Sequence, residues 1–219
     1  PRSEAAQGVT EDLIQRSEAW MQARCGSLGA SAIHEALAKT KSGWSASRAN
    51  CIARLVVERI TGEPVETYQN AAMLHGIETE PEARAAYSFR TGLDVVEIGL
   101  VRHPTIAGTH ASPDGLVGED GLVEIKCPQP AAHLATLLGE AIPEKYVLQA
   151  MWQMRCTERT FCDFVSYSPA FPESMRLFVH RFAFDAALVA SIEKEVAAFL
   201  AEVDAKVEAL QSRYGARAA

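Results

Sequence analysis

Asp114, Glu124 and Lys126 are the residues whose types and spacing could do chemistry on a phosphate. They lie in the stretch Ser-Pro-Asp-Gly-Leu-Val-Gly-Glu-Asp-Gly-Leu-Val-Glu-Ile-Lys-Cys-Pro, from Ser112 to Pro128. Gly118 to Gly121 has the composition of a turn between two short apolar runs, which predicts a hairpin that brings Asp114 level with Glu124. Side chains alternate along a strand, so Glu124 and Lys126 project to one face and Ile125 to the other, toward the core. Two acids and an amine then share a small volume. Mg²⁺ prefers oxygen ligands and takes one or two protein carboxylates beside substrate phosphate. A positioned ammonium can orient water and offset charge that builds on phosphorus. A bare E-x-K on a hairpin is ordinarily a surface ion pair. Here Pro113-Asp114-Gly115 and the apolar Leu122, Val123 and Ile125 predict a strand too buried to carry charge without purpose.

The chain has 219 residues, 48% hydrophobic and 22% charged, enough for one domain with a real core. No run of about 18 apolar residues occurs, so no membrane-spanning helix is expected. Pro1-Arg2-Ser3-Glu4 lacks the succession of a secretory signal, and the five cysteines include no C-x-x-C pair. Together these lead to an expectation of a reducing cytoplasm. The net charge is −7, but residues 16–60 carry seven basic side chains against three acidic ones. An enclosed basic groove on an acidic body is one reading; solvated helix faces of mixed charge is the other.

Periodicity places a helix over 9–24, a short one over 32–38 capped by Ser31, a polar loop over 39–47 around Trp44, and a helix over 49–60 stopped by Gly62 and Pro64. A longer helix over 67–90 should bury Ala71, Leu74, Ile77, Ala85 and Phe89, and Pro81 should kink or restart it. Glu80, just before that proline, is the acid expected to face the metal group. Strands are expected over 94–101, 106–110, 161–167 and 175–184, with helices over 131–138 and from Pro143 through Met154. Asp185 should cap a last helix to about Arg213. The domain would comprise N-terminal helices over 9–60, a core over 66–184 and a C-terminal helix over 185–213. The fold class is α/β (α+β), a central mixed β-sheet flanked by helices.

On the residues Ser112-Pro113-Asp114-Gly115, Glu124-Ile125-Lys126-Cys127-Pro128, the helix around Glu80 and the segment from Tyr146 to Gln149, the chain resembles the phage lambda exonuclease family, or YqaJ-type viral recombinases. That family lies within the P-D-(D/E)-x-K nucleases, and the likeness implies a restriction-endonuclease-like core. It further implies that Asp114, Glu124 and the backbone carbonyl of Ile125 hold Mg²⁺, for which Mn²⁺ substitutes, that Glu80 completes a second metal position, and that Gln149 orients Lys126 or the water. Arg24, Ser31 and Ser112 would grip a 5′-terminal phosphate, and Lys41 would face DNA. Trp20 is read either as a platform for a base or as a core residue. The six histidines show no metal-ligand spacing and are read as structural or surface groups. Cys127, Cys156 and Cys162 lack the close grouping of an iron–sulfur site, so no cluster is expected. The implied activity is 5′→3′ digestion of linear double-stranded DNA to 5′ mononucleotides, leaving a 3′ overhang. The implied partners are two further copies in a homotrimer ring and a single-strand annealing protein, in a phage or prophage setting. A P-D-(D/E)-x-K endonuclease of restriction or repair type, and a non-catalytic DNA-binding module, stay open as alternatives.

Overall fold

The structure is a computed structural model that describes residues 10–11, 13–65, 71–139 and 142–215. In chain order it gives β1 (Thr10–Glu11), α1 (Glu18–Arg24), β2 (Leu28–Gly29), a 3₁₀ turn (Ala30–Ala32), α2 (Ile33–Ala36), β3 (Lys39–Thr40), β4 (Gly43–Trp44), α3 (Ala46–Thr61) and α4 (Ala71–Thr91). There follow β5 (Val95–Val96), β6 (Leu100–Arg102), β7 (Thr109–Ala111), β8 (Gly115–Val117), β9 (Gly121–Lys126), α5 (Pro130–Leu137), α6 (Glu144–Thr157), β10 (Phe161–Tyr167), β11 (Leu177–Ala183) and α7 (Ala186–Tyr214). The expected helix starts at Val9 and Thr67 lie outside the described residues. No helix among the described residues is long and apolar enough to cross a membrane.

A five-stranded mixed sheet in the order β11-β10-β9-β8-β5 forms the centre, antiparallel except for the parallel pair β10–β9. Alternation along β9 sends Leu122 into one core with α3, α6 and α7, and Val123 and Ile125 into a second core with Ala83 and Tyr87 of α4. Helices thus cover both faces, as expected. A smaller sheet, β1-β6-β7-β2, stands beside it.

Helix α6 joins the two sheets. Residues 149–154 and Cys156 are buried, so it is enclosed on all sides rather than amphipathic. The Trp152 indole N–H donates to Thr109 Oγ1 at 3.0 Å, and the Thr109 hydroxyl donates to the Leu28 carbonyl at 2.6 Å, which ties α6 to β7 and β2. Helix α7 closes over the same core through Val189, Ile192, Val196, Phe199, Leu200 and Val203. As expected, Asp185 caps it, accepting from the Ala187 and Leu188 amides at 3.0 and 2.9 Å.

Several expectations need correction. The first helix begins at Glu18, capped by Ser17, because β1 and a turn occupy part of the expected helical run. Ser31 caps no helix; it lies inside the 3₁₀ turn, which leaves its hydroxyl unspent. The loop over 39–47 contains the β3–β4 hairpin, with Arg48 stacked over the Trp44 ring at 4.0 Å and Lys39 near it at 4.9 Å. Helix α4 runs unbroken through Pro81, whose exposure puts the lost helical hydrogen bond on the solvent side, where it costs least. It also presents another face than expected. Thr79, Ala83 and Tyr87 are buried, while Phe89 is 94% exposed. A polar bond sets this rotation: the Tyr87 hydroxyl donates to the buried Asp163 carboxylate at 2.7 Å, and Arg181 donates to the same carboxylate at 2.7 and 2.8 Å.

His103 stacks on Trp152 with ring centroids 4.6 Å apart, and its Nδ1 accepts from the Thr105 and Ile106 amides at 3.3 and 3.0 Å. Burial, then the Arg155 charge, hold this imidazole down to about 4. An unfolded histidine titrates near about 6.5, so between those values the folded chain binds fewer protons than the unfolded one, and stability is lost as pH falls. Thermal unfolding midpoints should therefore drop from pH 6.5 toward pH 4, and His103→Gln should make that drop shallower. An unchanged slope in the variant would contradict this assignment.

Candidate active site

The hairpin forms as read, with β8 and β9 pairing Gly115 to Val123, Leu116 to Leu122 and Val117 to Gly121. One step further, the register sets Asp114 opposite Glu124. Asp114 Oδ2 accepts the Ile125 amide at 2.6 Å, which fastens the end of the β7–β8 loop to the neighbouring strand. N–H and C=O of one strand residue point to the same edge, so the Ile125 carbonyl is directed to the side where Asp114 lies. On the other edge of β8, Gly115 lets β5 come close, because a Cβ there would collide with the Val95 side chain.

Glu124 is 2% exposed and accepts from three side chains. Gln149 Nε2 donates to its Oε1 at 2.7 Å, Gln153 Nε2 donates to its Oε2 at 2.5 Å, and the Lys126 ammonium makes a short ion pair with Oε1. Gln149 and Gln153 stand one helical turn apart on α6, so a single buried face of that helix grips both oxygens. Burial alone would lower the Lys126 ammonium, but the Glu124 and Asp114 carboxylates more than offset it and hold the group above the ordinary lysine range. In this arrangement Lys126 is a fixed cation and donor. The Asp114 carboxyl is pushed well up, first by burial and then by the Glu124 charge.

Asp114, its proton affinity raised by burial and then by the Glu124 charge, stands with Glu124 beside an outward-facing carbonyl as a donor set suited to a hard divalent cation. Among the described residues, no three of His, Cys, Asp and Glu converge on such an ion. Glu80 is near enough for its charge to raise Asp114, yet its own oxygens are taken by arginines. Arg16 Nη2 donates to Oε2 at 2.5 Å, and Arg84 Nη2 to Oε1 at 2.7 Å.

Asp114, Glu124, Lys126, Gln149 and Gln153 share a cavity of about 170 Å³ with Arg24, Ser31 and Ser112. Trp20 also lines it, and is 7% exposed. Its indole N–H donates to the Gly99 carbonyl at 3.1 Å and to Ser112 Oγ at 3.2 Å, while the Arg24 guanidinium lies over its ring at 3.9 Å. Of the two readings of Trp20, the buried one holds, and its ring carries Arg24. Lys41 is an exposed residue of the β3–β4 turn and does not line this cavity.

Gln153, His110 and Arg16 are among the residues of the cavity wall that escaped the sequence reading. Gln153 carried a helix-repeat signal, lying four positions after Gln149, but needed the packing of α6 on β9 to show it. His110, read as structural or surface, is 1% exposed beneath Arg24. Its Nε2 accepts from Arg24 Nε at 3.2 Å, which puts the ring proton on Nδ1, facing Ser27 Oγ at 2.8 Å. Burial, then the charge of Arg24, hold this imidazole down to about 3. Gly29 makes room for it, since a Cβ there would stand 3.1 Å from His110 Nε2. Arg16 enters the sequence reading only as one of the seven basic residues of 16–60.

The same architecture is found in an alkaline exonuclease, LHK-Exo, from Laribacter hongkongensis. It is 46% identical over 91% of this chain and 98% of that one, with a TM-score of 0.85, and it has also been solved in complex with dAMP. A phage-related exonuclease from Haemophilus somnus 129PT shares the fold at 13% identity, over 84% of this chain and 96% of that one, with a TM-score of 0.67. Uncharacterized protein R354 of Acanthamoeba polyphaga mimivirus is 31% identical over 117 residues, 48% of this chain, and the match spans 21% of that protein's length. Residues 19–160 match the model of the YqaJ-like viral recombinase domain, and the chain belongs to that family.

Proposed function

We propose that the protein is a Mg²⁺-dependent exonuclease that digests linear double-stranded DNA from a 5′ end, releasing 5′ mononucleotides and leaving a 3′ overhang. One observation carries this reading. A single cavity joins the Asp114–Glu124–Lys126 group to the Arg24–Ser31–Ser112 group, so a site suited to hydrolysis and a site suited to a terminal phosphate lie side by side. Similarity to an alkaline exonuclease over nearly the whole chain supports it.

A bound divalent cation supplies Lewis acidity, drawing charge from the scissile phosphate and lowering the pKa of water. Asp114, Glu124 and the Ile125 carbonyl would hold it. The remaining work falls to the chain itself. Gln149 and Gln153 fix the plane of the Glu124 carboxylate, which in turn fixes Lys126. As an ammonium, Lys126 orients the attacking water and offsets negative charge on phosphorus. Arg24, stacked on Trp20 and held at Nε by His110, presents the rest of its guanidinium to the 5′ phosphate, and the Ser31 and Ser112 hydroxyls complete the grip. Burial, then the charge of Arg54, pulls Arg24 down to about 10, which still leaves it cationic at neutral pH.

The proposal extends to a ring-shaped homotrimer around DNA, to a single-strand annealing protein as partner, and to the cytoplasm of a bacterial host, all resting on family membership. Light scattering at the mass of three chains would bear out the ring; a monomer mass at working concentration would exclude it.

End-labelled linear duplex with Mg²⁺ tests the chemistry. Label at the 5′ end should be released first, closed circles should stay intact, and Lys126→Ala should slow release by about 10²-fold or more. Efficient cutting of closed circles would favour the endonuclease alternative instead. Arg24→Ala should erase most of the preference for 5′-phosphorylated over 5′-hydroxyl ends, at a cost of about tenfold or more on the phosphorylated end. An undiminished preference would remove Arg24 from the pocket.

A further inference from the structure

Arg16 is a feature of the cavity that neither family membership nor the proposed chemistry explains. Its backbone is left-handed, with φ of 70°, a conformation that an arginine adopts only when its surroundings impose it. Those surroundings are visible. The preceding side chain, Gln15, donates to the Ile98 carbonyl at 2.8 Å and to the Pro113 carbonyl at 2.9 Å, so the turn is tied to the loop that carries Asp114. The constrained backbone puts the Arg16 guanidinium on Glu80 Oε2, while Arg84 holds Oε1. Arg16 lines the same cavity as Arg24, Ser112 and Lys126, and its side chain is 47% exposed where that of Glu80 is 12% exposed.

These facts describe a cation held at the mouth of the cavity by an acid that is itself a candidate metal ligand. A guanidinium and a divalent cation compete for the same carboxylate oxygen, and a half-exposed guanidinium also fits a phosphodiester. We propose that Arg16 is a DNA-binding residue that masks Glu80 in the free protein and exchanges it for a backbone phosphate of the bound strand, releasing Glu80 Oε2 to a second divalent cation. The proposal rests on the nuclease reading above, in which Glu80 completes a metal position. It identifies the strained turn at Gln15–Arg16 as the device that holds the guanidinium between its two partners.

The decisive variant is Arg16→Gly, because glycine accepts the left-handed backbone and keeps the turn. Mn²⁺ titrated into DNA-free protein, with free ion read by electron paramagnetic resonance, should occupy the weaker site about threefold more tightly in Arg16→Gly than in wild type. Glu80→Gln should abolish that weaker site in either background. Without divalent metal, a 5′-phosphorylated duplex oligonucleotide should bind Arg16→Gly about tenfold more weakly, and Arg16→Lys should restore part of the loss. Unchanged Mn²⁺ affinity in Arg16→Gly, with Glu80→Gln still defective, would overturn the masking. Unchanged duplex affinity would overturn the exchange. Identical Mn²⁺ binding by wild type and Glu80→Gln would instead place the failure in the assignment of Glu80 as a ligand.

Discussion

Glu124 is buried on the α6 side of the five-stranded sheet, and a carboxylate there costs several kcal/mol unless donors replace the water it has lost. That requirement propagates outward. Two of the donors are glutamines on α6, so α6 must pass within hydrogen-bond reach of β9, and a helix so close to the sheet is enclosed on every side. Enclosure brings Trp152 against Thr109 of β7, and the residues that follow Thr109 are His110 and, in the loop, Ser112. Satisfying one acid therefore positions both walls of the cavity.

The two faces of the sheet carry different duties. On the α6 face, polar groups are grouped where the cavity opens. On the α4 face, the buried acid Asp163 is consumed by Tyr87 and Arg181 and serves packing. The same contrast resolves the tension between a chain of net charge −7 and an anionic substrate. What a phosphate approaching the pocket meets is the Arg24 guanidinium beside the Ser31 and Ser112 hydroxyls, not the total.

The sequence was most informative where chemistry and local periodicity coincide. The β8–β9 hairpin, the facing of Glu124 and Lys126, and the caps at Asp185 and Gly62 all depend on near neighbours, and all stand as read. The face of α4 was misjudged because a distant acid, Asp163, rotates the helix to bury Tyr87, against the apolar count that favoured Phe89. Ser31 was misjudged for a related reason: a capping residue and a free hydroxyl look alike until the turn around them is known. Gln153, His110 and Arg16 act through partners far along the chain, and no spacing rule carries such pairings.

Ser112 and Asp114 occupy one loop, two residues apart, and each end of that loop is anchored, by Trp20 at Ser112 and by the Ile125 amide at Asp114. Two residues span at most about 7 Å. Under the proposed function this short, doubly pinned segment is a ruler: the interval between the gripped phosphate and the attacked one is set by covalent geometry rather than by the flexible substrate. Fragment length would then be a property of the polypeptide backbone, insensitive to base sequence and altered only by lengthening the loop.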